Sequence, residues 1–252
     1  MDGVLWKGDE PLPGLHAFFA LLRRDRVRFA LTTNNSTSTI AEYGAKLSRM
    51  GVVVEPREIL TSAQGAAAYI AEEAPAGSTV FAIGEDGLIE ALRKHGLTVV
   101  DEAASAADYV AVGWDRQLTW SKLRRACLLL RAGARFVGTN PDRTFPTPEG
   151  LVPGNGAQLA ALQAATDISP VIVGKPEPLL YHQALKRLGA DPAETAALGD
   201  RLDTDILGGQ RAGLHTILVL SGVTTAKELA RSALQPDEVY ADIDALAREW
   251  SA

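Results

Sequence analysis

Ala196-Ala197-Leu198-Gly199-Asp200-Arg201-Leu202-Asp203-Thr204-Asp205 is the stretch that decides the fold, because an apolar run gives way to a glycine and three aspartates. It reads as a strand over 195–199 followed by a helix over 204–212. Two other apolar runs end the same way. Phe29-Ala30-Leu31 passes into Thr32-Thr33-Asn34-Asn35-Ser36, and Val171-Ile172-Val173 passes into Gly174-Lys175-Pro176. Ligands of open parallel sheets bind at the carboxyl ends of the strands. A hydroxyl, a lysine and an aspartate at three strand ends are therefore expected to converge on one crevice. Any one of them alone would be an ordinary turn residue.

Outward from these runs, short strands alternate with amphipathic stretches. Strands are predicted over 27–32, 79–83, 109–113, 135–138, 171–174, 195–199 and 216–220. Helices are predicted over 15–24, 40–50, 63–73, 87–94, 120–131, 157–165, 179–188 and 204–212. Strands separated by helices of this length build parallel sheets covered by helices, an α/β fold. Local chemistry marks the boundaries. Gly51 suits a left-handed helix end, and Asp191-Pro192-Ala193-Glu194 has a capping acid followed by proline. Asp203 is expected to cap the helix that begins near Thr204.

The 252 residues suffice for one large domain or two smaller ones. The formal charge is −6 with no long basic run, which argues against nucleic acid or an anionic membrane as the main partner. No apolar stretch reaches the length of a membrane span. Met1-Asp2-Gly3-Val4-Leu5-Trp6-Lys7 lacks the basic start and apolar middle of a leader, so a cytoplasmic location is expected. The single Cys127 reads as a small buried hydrophobe. His16, His95, His182 and His215 show no zinc-ligand spacing.

The polar ends, with Met1-Asp2-Gly3-Val4-Leu5-Trp6, resemble the four motifs of the haloacid-dehalogenase superfamily, in its phosphatase branch. These are Asp-x-Asp-Gly, a Ser/Thr after the second strand, a lysine, and Gly-Asp-x₄-Asp. The resemblance implies a Rossmann-like core and hydrolysis of phosphate monoesters with Mg²⁺. Asp200 would bind the metal directly, Asp205 would ligate it or hold its waters, and the Asp2 carbonyl would be a further ligand. Lys175 would neutralise the transferring phosphoryl group. Thr33 and Asn34 would take phosphate oxygens through hydroxyl and backbone N–H. Asn35 would brace the loop or touch substrate. Asp2 would serve as general acid and base, which favours phosphoryl transfer over carbon–halogen cleavage. The family's nucleophilic aspartate would stand one position before Met1, so the first core strand is expected to be missing and the 252-residue chain inactive by itself.

About thirty residues separate Asp2 from Thr33, and roughly 140 separate Thr33 from Lys175, several times one βαβ unit. An inserted α/β cap over 63–171 is expected, with the core formed by 1–62 and 172–252. A cap of this kind resembles the branch of para-nitrophenyl phosphatases, pyridoxal-phosphate phosphatases, phosphoglycolate phosphatases and NagD-type phosphatases. Gly138-Thr139-Asn140-Pro141-Asp142 and Pro153-Gly154-Asn155-Gly156-Ala157 match it too. The partner implied is a small phosphorylated metabolite, with a homodimer through the cap as the assembly to test. The polar, proline-rich loop 142–149 is read equally as a specificity loop or a surface turn. The alternatives are a catalytically silent phosphate-ligand-binding protein and, less favoured, a sugar phosphomutase.

Overall fold

The computed structural model describes residues 1–75, 77–147 and 149–251. Pro148 of the loop 142–149 lies outside the described residues. The chain divides into two compact units, the first made of Met1–Thr32, Ala41–Ile59 and the stretch from Lys175 onward, the second of Thr33–Ile40 and Leu60–Gly174.

The first unit opens with a small antiparallel hairpin, β1 (Trp6–Lys7) and β2 (Glu10–Pro11). Helix α1 (Leu15–Arg24) buries Leu15, Phe18, Phe19, Leu21 and Leu22 and ends on Arg23 and Arg24, where cations suit the carbonyl end of a helix. Strand β3 (Leu31–Thr33) follows, then α2 (Ile40–Arg49), closed by Gly51 at φ 77° as the sequence leads one to expect. Strand β4 (Ile59–Thr61) pairs with β3.

Thr61 caps α3 (Ser62–Glu73) by accepting from the Gln64 N–H. The second unit then runs through β5 (Thr79–Ile83), α4 (Asp86–Lys94), β6 (Thr98–Val100), β7 (Tyr109–Val112), α5 (Trp120–Arg131) and β8 (Arg135–Gly138). It ends with the hairpin β9 (Thr144–Thr147) and β10 (Gly150–Pro153), helix α6 (Asn155–Thr166) and β11 (Val171–Ile172). Its sheet is five-stranded and parallel, in the order β11-β8-β7-β5-β6. Every residue of β7 is buried, as the continuously apolar Tyr109-Val110-Ala111-Val112 requires of a strand covered on both faces. Phe81, Ile83, Val110, Val112, Leu129, Leu130 and Leu162 form this unit's core.

The chain returns to the first unit with α7 (Leu179–Leu188), β12 (Ala196–Gly199), α8 (Leu207–Arg211), β13 (His215–Val219), α9 (Ala226–Leu229), β14 (Glu238–Tyr240) and α10 (Ile243–Trp250). Here the sheet is in two pieces, the parallel β12-β13-β14 and the pair β3-β4. Among the described residues, the edge of β12 away from β13 carries no strand, and neither does the edge of β3 away from β4. A cavity of about 420 Å³ is lined by Val27–Thr32 on one side and Glu194–Leu198 on the other, with Phe18, Leu185 and Trp250 among the helical residues at its walls. The strand expected over 27–32 is limited to Leu31–Thr33, because the residues before it join no ladder among the described residues.

The helix expected over 204–212 is instead a wide π turn, Leu202–Ile206, running into α8. No helix of the described residues is long and apolar enough to cross a membrane.

Candidate active site

In the first unit, the acids cluster where β12 ends. Gly199 lets Asp205 fold back against the strand, since a Cβ at Gly199 would lie 2.1 Å from the Asp205 Cβ. Asp205 Oδ2 accepts from the Asp200 and Arg201 N–H groups at 3.3 and 3.2 Å. Its Oδ1 accepts from Lys175 Nζ at 2.7 Å. Both side chains of this pair are only 8% exposed. The π turn makes the arrangement, carrying Asp205 round so that its carboxylate meets the amides at its own start; single π turns of this kind gather at functional sites. Burial alone would raise the Asp205 carboxyl, but Lys175, the Met1 amine and the hydrogen bonds outweigh it and hold it below the ordinary carboxylate range.

Asp200 is enclosed by backbone. Its Oδ2 accepts from the Val223 N–H at 2.8 Å, and its carbonyl accepts from the Thr224 N–H at 3.0 Å. A Cβ on Gly3 would come within 2.4 Å of Asp200 Oδ2, and one on Gly222 within 2.1 Å. Gly3 also stands at φ 75°, so glycine is required there on two counts. Ser221 donates to the Gly3 carbonyl at 2.7 Å, tying the Asp2-Gly3 turn to the same loop. Asp2 itself is exposed, and one of its oxygens accepts from the Gly3 N–H at 3.0 Å. Burial first, and the neighbouring Asp205 charge second, raise the Asp200 carboxyl. The Met1 amine is pushed down by burial and by Lys175.

The first unit thus brings together Lys175, Asp200 and Asp205 with the Asp2-Gly3 turn. Among the described residues, however, no group of three or more acid, histidine or cysteine side chains stands close enough to hold a metal ion on its own. Both oxygens of Asp205 are engaged, one by Lys175 and the other by backbone N–H groups. Asp203 does not cap the following turn. It pairs with Arg201 at 2.9 Å on the surface.

In the second unit, the loop after β3 is tightly braced. Asn35 Oδ1 accepts from the Thr37 N–H at 2.7 Å and the Thr37 hydroxyl at 2.8 Å, the structural one of its two expected roles. The Thr33 hydroxyl accepts from the Asn35 N–H at 3.2 Å. Asn34 donates to Asp142 at 3.2 and 3.3 Å, and its carbonyl accepts from Asn140 Nδ2 at 2.8 Å. Asn155 in turn donates to the Asn140 carbonyl at 2.7 Å. A Cβ on Gly154 or Gly156 would lie 2.4 Å from the carbonyl of Asp142 or Pro141. The two glycine-bearing segments therefore zip together and present Asp142 to Asn34. Asp142 carried no role in the sequence; its signal was the close Gly154-x-Gly156 spacing, which needs a backbone to approach. Trp114 stacks on Phe145 at 4.2 Å and donates its indole N–H to the Pro153 carbonyl at 2.9 Å, giving the loop an aromatic wall.

Comparison with known proteins bears on both units. Residues 1–98 match the family described as haloacid dehalogenase-like hydrolase, and residues 172–246 match a second HAD-hydrolase-like family model. An acid sugar phosphatase from Staphylococcus saprophyticus is 39% identical over 249 residues, 99% of this chain and 95% of the relative. A p-nitrophenyl phosphatase from Archaeoglobus fulgidus superposes with a TM-score of 0.93 at 35% identity, covering 98% of this chain and 96% of that one. A glycerol phosphate phosphatase from Mycobacterium tuberculosis, solved in complex with magnesium, superposes with a TM-score of 0.89 at 35% identity, covering 98% and 74%.

Proposed function

Since the chain belongs to the haloacid dehalogenase-like hydrolases, we propose that it hydrolyses phosphate monoesters of small metabolites in the cytoplasm, using Mg²⁺ and an aspartyl-phosphate intermediate. The observation that carries this reading is the buried Lys175–Asp205 pair set against Asp200 at the end of β12. Phosphatase relatives at 35–39% identity over nearly the whole chain support it.

The donor set fits a hard divalent ion. Asp200 offers a carboxylate oxygen that accepts no hydrogen bond among the described residues, and the Asp2-Gly3 turn adjoins it. Asp200 and Asp2 would hold Mg²⁺, while Asp205, already committed to Lys175, orients the surrounding groups rather than ligating. When bound, the ion screens the charge of the phosphate dianion from attacking carboxylates.

The chain's own residues do the rest. Lys175 places a fixed positive charge, held in position by Asp205, against the transferring phosphoryl group. Thr33 and the Asn34 N–H take phosphate oxygens, and the braces from Asn35, Asn140 and Asp142 keep that loop rigid. Asp2, exposed to solvent, protonates the leaving alkoxide. It then takes a proton from the water that cleaves the acyl-phosphate. The attacking carboxylate that the resemblance implies stands two positions before Asp2. Residues 1–62 and 172–252 act as the core and 63–171 as the cap. The exposed Trp120 and Leu128 on α5 support a homodimer through the cap.

The test is a variant extended at Met1 by an apolar strand ending in Asp. It should hydrolyse p-nitrophenyl phosphate with Mg²⁺ and stop with EDTA. A folded extended protein with no Mg²⁺-dependent turnover sinks the reading in favour of a silent binding protein.

A further inference from the structure

The loop after β3 holds one peptide bond at both of its ends, more than bracing alone requires. The Asn34 carbonyl accepts from two side chains at once, the Ser62 hydroxyl and Asn140 Nδ2, the latter at 2.8 Å. Asn140 is 4% exposed and Ser62 not at all. The donors come from separate elements, Ser62 from the first turn of α3 and Asn140 from just past the end of β8. All of these residues belong to the second unit. A trans peptide is planar, so its N–H points opposite to its C=O. Fixing the Asn34 carbonyl therefore aims the Asn35 N–H, which meets the Thr33 hydroxyl oxygen at 3.2 Å.

That direction decides what Thr33 can do. A hydroxyl has one hydrogen and two lone pairs. An N–H aimed at the oxygen occupies a lone pair and leaves the hydrogen for another acceptor. Among the described residues nothing takes it. Turned over, the same peptide would present its carbonyl to Thr33 and claim that hydrogen. The clamp resists this, because a turned peptide strips two buried donors of their acceptor. Asn140 is not free to follow the carbonyl round. Its Oδ1 accepts from the Asp142 N–H at 3.2 Å, which settles the end of the amide that faces Asn34. Asn155 Nδ2 holds its backbone carbonyl at 2.7 Å.

We infer that Ser62 and Asn140 are positioning residues for phosphate binding, acting through the Asn34–Asn35 peptide to keep the Thr33 hydroxyl a donor toward an anionic oxygen. The inference rests on the proposed hydrolysis, from which it takes Thr33 as the phosphate contact. It adds that two side chains remote from the substrate set the direction of that hydroxyl. Either donor alone still opposes the turned peptide, so the two act redundantly and their losses are not additive.

The experiment reads two quantities in the full chain: calorimetric titration of inorganic phosphate with Mg²⁺ present, and amide exchange at Asn35. Ser62→Ala and Asn140→Ala should each weaken phosphate binding about twofold or less, and the double variant about tenfold, the loss of one hydrogen bond to a charged group. The Asn35 amide should exchange at least about tenfold faster in the double variant, with the β7 amides unchanged. Ser62→Thr, which keeps the hydroxyl, should restore in the Asn140→Ala background the affinity that Ser62→Ala removes. In a Thr33→Val background, where the hydroxyl is already gone, the double change should have no further effect on phosphate. Should circular dichroism show the double variant unfolded, Asn140→Asp takes its place, with the same shape but an acceptor against the Asn34 carbonyl. A loss that persists undiminished in the Thr33→Val background overturns the inference, since the clamp would then act only as general support. So does an Asn35 amide as protected as before, or a faster amide with unchanged phosphate affinity while Thr33→Val alone weakens binding. If Thr33→Val and the double variant both leave phosphate binding unchanged, the reading of Thr33 as a phosphate contact fails and takes the inference with it.

Discussion

The two sheets of this molecule come from similar sequence and reach different ends. In the second unit, Tyr109-Val110-Ala111-Val112 is paired on both sides by β5 and β8 and wholly buried. In the first unit, Val27-Arg28-Phe29-Ala30-Leu31-Thr32 is as strand-like, yet only Leu31–Thr33 forms β3 and the run stays half-exposed or more. The difference lies in the neighbours rather than in the run. A strand is an agreement between two backbones, and propensity without a partner yields extended chain and no ladder.

The comparison is open to direct attack, beginning with the buried ion pairs. Lys175→Met leaves Asp205 charged and unpaired in the interior, with an expected loss of about 3–5 kcal/mol by urea unfolding. The second unit's pair, Lys122 with Asp115 at 2.7 Å, has a more exposed lysine. Lys122→Met should therefore cost clearly less; equal losses would remove the distinction between the two pairs.

Next come the sheets themselves. Ile83→Ala opens a void in the closed sheet, worth about 2–5 kcal/mol. Leu198→Ala, on the open edge of β12, removes a side chain already half in contact with the cavity and should cost about 1 kcal/mol or less. A Leu198→Ala loss as large as that of Ile83→Ala would mean the cavity is closed in solution. An effect between those of Ile83→Ala and Leu198→Ala is expected from Gly222→Ala. Its Cβ would strike Asp200, at about 1–3 kcal/mol from overpacking, and isothermal titration should show weakened Mg²⁺ binding. The smallest comes from Asp203→Ala. It deletes a surface pair with Arg201 and should change stability by about 0–1 kcal/mol, leaving Tm almost unmoved.

Much of the architecture was legible in the sequence because periodicity and length constrain long elements well. Helices α1, α3, α5 and α7 lie where the apolar spacing puts them. What escaped is short or depends on distant partners. Strands β6 and β14 are three residues each, and β9 contains Pro146, which a strand tolerates only at an edge. The sequence predicts an ordinary helix after Asp200, since nothing in Leu202-Asp203-Thr204-Asp205-Ile206 announces a π turn. The contact of Asn34 with Asp142 spans 108 positions and has no local signature at all. Lys175 and Asp200 stand out in the sequence because each closes an apolar run, and Asp205 through the Gly-Asp-x₄-Asp spacing. Their division of labour, with Asp205 spoken for by Lys175, appears only in three dimensions.

Trp250 at the wall of the cavity has an optical consequence. Of the four tryptophans, Trp6 is sealed in the interior, Trp120 stands in water, and Trp114 is stacked on Phe145. None of these three lines the cavity. Trp250 does, with part of its ring open to solvent. Its emission should move to shorter wavelength when the cavity is filled and stay put when it is not. The protein carries its own lamp at the seam where its sheet is divided.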